Sequence, residues 1–302
     1  MGGRRSWATV GTFGVLGLVS CFGISGCRFV VPPKIMVVMM ENQNYSDVIG
    51  QSDQPYTNSL AAQYGLATQS YAFSHPSLPN YLEFVSGSNQ GVTDDSPPSS
   101  HSFPGSTTLA DQLVSGGYRV AAYAESLPSD PTNDSGLYDV KHNPWEYFPS
   151  ASIQVKDASS LTSDLNSPSP PDFVWFTPNL TDDGHTGVPS DTEANEQADS
   201  EAFLSRFIPS VQATAWYKSG GQIIIEWDES RNDSSDVNGG QTGGGHVATI
   251  VVSQSLKANP RQATGNVATA GILHSIEHLY QVPYLGGASA ASNGNIDPLL
   301  YW

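Results

Sequence analysis

The run Gln222-Ile223-Ile224-Ile225-Glu226-Trp227 stops abruptly at Asp228-Glu229. Apolar residues in near-unbroken succession mark a strand buried on both faces, and such a strand needs cover above and below it. Lys34 to Met40, Tyr118 to Tyr123, Asp172 to Phe176 and His246 to Val252 have the same character. Helical patterns separate them. Tyr56 to Tyr64 stops at Gly65. Thr107 or Thr108 caps a helix to Ser115, which Gly116-Gly117 ends. Thr192 to Lys218 reads as a long helix or a helix pair broken near Pro209, and Ala268 to Tyr280 is the last. Strands alternating with helices imply one doubly wound α/β domain. No repeat and no domain boundary is visible after residue 30.

The 302 residues suffice for one large α/β core. With 14% charged residues, 29 Gly and 21 Pro, the chain reads as a loop-rich enzyme and not as a coiled coil. The formal charge of −17 argues against nucleic acid and anionic membrane surfaces as electrostatic partners. A phosphate site in such a chain needs strong local positive charge, which a metal ion supplies.

The amino terminus reads as an export signal. Arg4-Arg5 precede a Gly-rich apolar stretch, Val10 to Ile24, too short and broken for a comfortable membrane span. Ile24-Ser25-Gly26-Cys27 resembles the lipobox of bacterial lipoproteins, which implies a signal peptide over 1–26 and a lipidated Cys27 at the start of a single catalytic domain, 27–302. The alternatives are an ordinary signal peptide or a short anchor, and the arginine pair hints at twin-arginine export. With Cys21 removed and Cys27 acylated, neither a cysteine nucleophile nor a disulfide is available.

The chemistry concentrates in a few stretches. His75-Pro76-Ser77-Leu78-Pro79-Asn80-Tyr81 holds a hydroxyl between two prolines ahead of the apolar run to Val85. Pro79 can open a helix, so Ser77 is expected on a stiff turn at a helix N-terminus, where N–H groups favour anions. Taken alone, Ser77 is as well explained by capping. Other strand ends add to the case. Glu41-Asn42 follow the first strand, Asp182-Asp183-Gly184-His185 follow the third, Asp228-Glu229 follow the fourth, and His246 opens the fifth. In open α/β sheets ligands gather at the carboxyl ends of strands. Oxygen ligands with a few imidazoles and no thiolate suit Mg²⁺, Mn²⁺, Ca²⁺ or Zn²⁺. Lys141-His142 looks at first like surface decoration. Ser230 to Gly245 reads as a mobile low-complexity loop. Its Asp236, Asn238 and Gly239 lack the closing Glu of a calcium loop, since Val247 stands there.

Together, Met40-Glu41-Asn42, His75 to Tyr81, Lys141-His142-Asn143-Pro144, Thr177-Pro178-Asn179 with Asp183-Gly184-His185, and Trp227-Asp228-Glu229 with His246 resemble the bacterial phosphoesterase family of secreted acid phosphatases and phospholipases C. That family lies within the alkaline-phosphatase-like superfamily. The resemblance runs from about Lys34 to the C-terminus and is nearest the short phosphatase branch. It implies an α/β three-layer sandwich with a central, mostly parallel sheet. It implies one tightly bound divalent metal on Glu41, Asn42, Ser77, Asp228 and Glu229, with Ser77 as nucleophile and Asn80 on the phosphate. His142, His185 and His246 would surround the phosphate, and Asp183, His185 and His246 could touch a second ion. Asp228-Glu229 stands where two-metal relatives have Asp-His, which argues for one ion. Asp182 and Asp183 are not distinguished. His75, His274 and His278 read as structural.

The expected activity is hydrolysis of phosphomonoesters through a phosphoserine. The substrate would be a phosphorylated small molecule or a phospholipid, and the protein a monomer held at a bacterial membrane by its lipid anchor. A phospholipase C or other phosphodiesterase shares the same residues. A surface binding protein on this fold is the non-enzymatic alternative, and the complete set from Glu41 to Glu229 argues against it.

Overall fold

The computed structural model describes residues 32–185 and 192–301. The 1–26 signal and Cys27 lie outside the described residues. Among the described residues, nine strands form one sheet: β1 (Lys34–Met40), β2 (Gly65–Tyr71), β3 (Val120–Ala124), β4 (Val155–Asp157), β5 (Phe173–Thr177), β6 (Gly221–Trp227), β7 (His246–Val252), β8 (Arg261–Ala263) and β9 (Val267–Ala268). Their order is β4-β3-β5-β1-β6-β7-β2-β8, with β9 also on β2. Every pairing is parallel except those of β7, which runs against both β6 and β2. Because β7 is reversed, His246 at its start lies on the same edge as the end of β6.

The all-apolar runs sit where their composition requires. β1 and β6 are central, and Ile35 to Val38 and Ile223 to Ile225 are fully buried. Burial stabilises by roughly 1.5–3 kcal/mol for each such side chain. The helices fall into two packed sets. Ser77–Ser86 packs on Thr269–Tyr280, and Pro55–Gln63 packs on Glu193–Gln212.

Three expectations are corrected. Gly65 ends a helix pattern but also begins β2, whose Leu66-Ala67-Thr68-Gln69-Ser70 lacks the unbroken apolar signature because Thr68 and Gln69 are only partly covered. Pro209 does not break its helix, which continues through Gln212. It stands in the last turn, where only the bond to the Ser205 carbonyl is lost, and its own carbonyl still accepts from Ala213 N at 3.0 Å. The break comes at Thr214, whose side chain caps the next helix, Ala215–Lys218. The Ser230–Gly245 segment is built of bonded turns: Asp236 Oδ1 accepts from Asn238 N and Gly240 N, both at 2.8 Å, and Gly244 N donates to Ala72 O at 3.0 Å.

The Ser77–Ser86 helix is buried over its whole length. It starts at Ser77 itself, two residues before Pro79, and ends at Gly87 in the left-handed conformation, φ +69°. Gly87 O accepts from Gly287 N at 2.7 Å, and a Cβ on Gly87 would lie 2.3 Å from Leu285 O. Gly87→Ala therefore combines strain with a backbone clash and is expected to cost about 2 kcal/mol or more. Thermal unfolding checks this, and an unchanged melting temperature would contradict it.

Candidate active site

The parallel register of β1 and β6 places Met40 beside Trp227, so the residues that follow leave the sheet together. Asp228 N donates to Met40 O at 3.0 Å, and Glu41 N donates to Asp183 O at 2.9 Å. Three strand ends are thereby stitched by backbone bonds at the positions that carry carboxylates. Asn42 takes φ +49°, a region asparagine tolerates. Its N–H meets Asp228 Oδ1 at 3.1 Å, while its side-chain amide donates to Glu41 Oε2 at 2.9 Å and lies 2.6 Å from His185 Nδ1. An amide N–H facing Nδ1 makes that atom the acceptor and puts the His185 proton on Nε2. Gly184, at φ +85°, makes the turn between Asp183 and His185, where a Cβ would come within 3.0 Å of Ser200 Cβ.

Ser77 enters from the start of its helix. Its hydroxyl is 2.8 Å from Glu229 Oε1 and 3.2 Å from Glu41 Oε2. The first turn is held by Asp95, whose Oδ1 accepts from Leu78 N at 2.9 Å. Tyr81, one turn on and on the same face, donates its hydroxyl to Glu41 Oε1. His142 Nε2 lies 3.3 Å from Glu41 Oε1, and His142 Nδ1 lies 3.2 Å from Asp183 Oδ2, both without hydrogen-bond geometry. Glu41, Asp183, Asp228 and Glu229 are thus four buried carboxyl groups in one cluster.

The electrostatics are unfavourable for an isolated protein. Burial, then the charge of Asp183, pushes the Glu41 carboxyl well above its ordinary value; burial, then Glu41 and Glu229, does the same to Asp228. Burial raises Asp183 to about 8. It also lowers His142 to about 3, so that ring is neutral. The hydrogen bond to Glu229 raises His75 to about 9. Lys141 opposes its own burial through the charges of Glu41, Asp95 and Asp139, which hold its pKa above the usual value.

Asp183 Oδ2, Asp228 Oδ2 and His142 Nε2 are buried with no hydrogen-bond partner. Buried polar atoms are normally satisfied, and buried charges are paired or bound to a cation. Glu41, His142 and His185 also offer ligand atoms within 4.8 Å of one another. The donor set therefore fits a divalent cation.

Most of the expected residues converge. Glu41, Asn42, Ser77, His142, Asp183, His185, Asp228 and Glu229 share the cluster. Asp183 faces inward, while Asp182 pairs with Arg206. Two residues are placed otherwise. Asn80, expected on the phosphate, uses its amide to close the preceding turn, accepting from Ser74 N at 3.0 Å and donating to Ser74 O at 2.8 Å. His246, though on the correct edge, stacks between Tyr45 and Tyr71 with centroids 4.2 and 5.0 Å away and bonds Thr68 O through Nε2. Among its described contacts none is with the carboxyl cluster.

Sequence reasoning undervalued His75, which bonds Glu229. It also missed Lys141, Asp95 and the hydroxyl of Tyr81. The spacing of Ser77 and Tyr81, one helical turn, was the available signal for the last.

The sequence model of the Phosphoesterase family matches residues 50–283. The phosphatidylinositol-3-phosphatase of Mycobacterium tuberculosis is 26% identical over 281 residues, covering 91% of this chain and 86% of that protein. An acid phosphatase of Aspergillus fumigatus is 29% identical over 178 residues, covering 54% of this chain and only 38% of its own length. In three dimensions the chain resembles a protein in the alkaline phosphatase superfamily from Vibrio parahaemolyticus, with a TM-score of 0.62 at 12% identity over 90% of this chain and 71% of the other. The C-terminal periplasmic domain of EcEptC from Escherichia coli, solved in complex with Zn, gives 0.57 at 10% identity, covering 90% of this chain and 88% of that domain. The expected α/β architecture with a largely parallel sheet holds, and the chain belongs to the Phosphoesterase family, as a hydrolase of phosphoric esters.

Proposed function

We propose that the protein is a metal-dependent phosphomonoesterase that works through a phosphoseryl intermediate on Ser77. The observation that carries this reading is the hydroxyl of Ser77, at the start of a buried helix and hydrogen-bonded to both Glu41 and Glu229. One divalent ion would be held by Glu41, Asn42, Ser77, Asp228 and Glu229. When bound, it would supply positive charge to phosphate oxygens and favour the alkoxide form of the serine.

The protein's own groups account for the remaining chemistry. Ser77 Oγ forms a bond to phosphorus as the ester P–O bond breaks, and its proton passes to Glu229. Lys141, close to Glu41 and held charged, adds positive field. His185 is partly exposed, at 25% for its side chain. With its proton on Nε2 it donates a hydrogen bond to the leaving oxygen, which takes its proton from solvent, and it then orients the water that releases phosphate from Ser77. His75 keeps Glu229 oriented.

The similarity to a phosphatidylinositol-3-phosphatase over most of both chains favours a phosphorylated lipid headgroup as substrate. A lipid-anchored, exported protein, as the 1–26 signal and Cys27 suggest, would meet such a substrate at the bilayer. A phosphodiesterase of the phospholipase C type would use the same residues and differ in its leaving group.

Ser77→Ala is expected to lower kcat on a chromogenic phosphomonoester by about 10⁴-fold or more, since it removes the nucleophile, while metal analysis shows the ion retained. Turnover near the wild-type rate would contradict the covalent route. Phosphatidylinositol monophosphates and phosphatidylcholine, presented in the same vesicles, separate the two leaving-group classes. Release of inorganic phosphate is expected from the former, and release of phosphocholine from the latter would instead identify a phospholipase C.

A further inference from the structure

A second group of ligand-type side chains lies outside the Ser77 cluster and shares no residue with it. His274 and His278 stand four residues apart on the Thr269–Tyr280 helix, so their rings leave the same face. Asp297 reaches them from the carboxyl-terminal segment. One nitrogen from each ring and one carboxylate oxygen lie within 4.8 Å of one another. Tetrahedral zinc at its usual bond lengths places ligands about 3.4 Å apart, so small side-chain rotations would close the set.

The surroundings orient these groups. His274 Nδ1 lies 2.7 Å from Ala288 O, a carbonyl that can only accept, so the proton sits on Nδ1 and Nε2 keeps its lone pair. Tyr284 stacks on that ring with centroids 4.2 Å apart and planes at 12°. A carbonyl behind a histidine is the usual way a metal-binding ring is fixed. His278 Nδ1 is 2.7 Å from Asp297 Oδ2. The other carboxylate oxygen, Asp297 Oδ1, is buried and has no hydrogen-bond partner.

We propose that His274, His278 and Asp297 form a second, structural site for a borderline divalent ion such as Zn²⁺. Two imidazoles and one carboxylate favour such an ion over Mg²⁺ or Ca²⁺, which seek oxygen. The site ties the last long helix to the tail. Ala288, which orients His274, belongs to the turn Gly286–Ser289, whose Gly287 closes the end of the Ser77–Ser86 helix through Gly87. The ion thus braces the end of the nucleophile helix remote from Ser77 and takes no part in the reaction.

Equilibrium dialysis of the full chain against Zn²⁺, with metal analysis, tests this in the wild type, His278→Ala and Asp297→Asn. The wild type is expected to hold one more equivalent than His278→Ala, and Asp297→Asn to bind that equivalent about tenfold or more weakly. Zn²⁺ should raise the melting temperature of the wild type more than that of either variant, and phosphoester turnover should be the same in all three. His278 is half-exposed, at 48% for its side chain, and circular dichroism of the zinc-free variant checks that its fold is kept. Equal zinc stoichiometry and affinity in all three proteins, with equal thermal shifts, would overturn the proposal.

Discussion

Four carboxyl groups held out of water around one serine hydroxyl are the constraint on which the rest of this structure depends. Glu41, Asp183, Asp228 and Glu229 are each at most 4% exposed. Their burial and mutual repulsion would destabilise any fold that did not provide a compensating cation. The described residues supply little of that compensation, since Lys141 and His75 are the nearby positive groups and His142 is neutral. The site is an acidic cluster whose donor set fits a divalent ion, within a protein that is itself strongly acidic.

The fold exists to make that arrangement rigid. Parallel register between β1 and β6 brings Glu41 and Asp228 to the same level, and backbone bonds from Glu41 to Asp183 and from Asp228 to Met40 lock three strand ends together. The Ser77–Ser86 helix is buried on all sides, so the Ser77 hydroxyl is presented from a framework that cannot shift without disturbing the core. At its far end the helix is closed by Gly87 against the 285–287 turn. A preorganised site of this kind needs no reorganisation when charge develops on the phosphate, which is the largest source of rate in such chemistry.

Much of this was legible in the sequence because strands buried on both faces write themselves as unbroken apolar runs. β1, β6 and β7 are cases in point, and the carboxylates beyond the first two stand out by contrast. β2 was not legible, since its Thr68 and Gln69 are partly covered and its Gly65 doubles as a helix stop. The short edge strands β4, β8 and β9 are too brief to carry a period. Within the site, residue type fixed which groups could act but not which way they point. Asn80 and His246 lie in the expected segments yet spend polar atoms on backbone, Asn80 on the turn before it and His246 on Thr68 of the neighbouring β2. His75 and Tyr81 looked like scaffold and reach the carboxylates.

The buried acidic cluster needs either protons or a cation to offset its charge. The raised carboxyl groups give this need a definite sign. A carboxyl whose pKa is higher folded than unfolded favours folding when protonated, and that contribution is lost as pH climbs from its ordinary value near 4 through its folded value. For Asp183 the folded value is about 8. Thermal unfolding of chelator-stripped protein at pH 5 and pH 8, each with and without Mg²⁺, is the most direct measurement. The account predicts that the stripped protein melts lower at pH 8, that Mg²⁺ restores more stability at pH 8 than at pH 5, and that Asp228→Asn shrinks both effects. A stripped protein as stable at pH 8 as at pH 5, and indifferent to the ion at both, would contradict it.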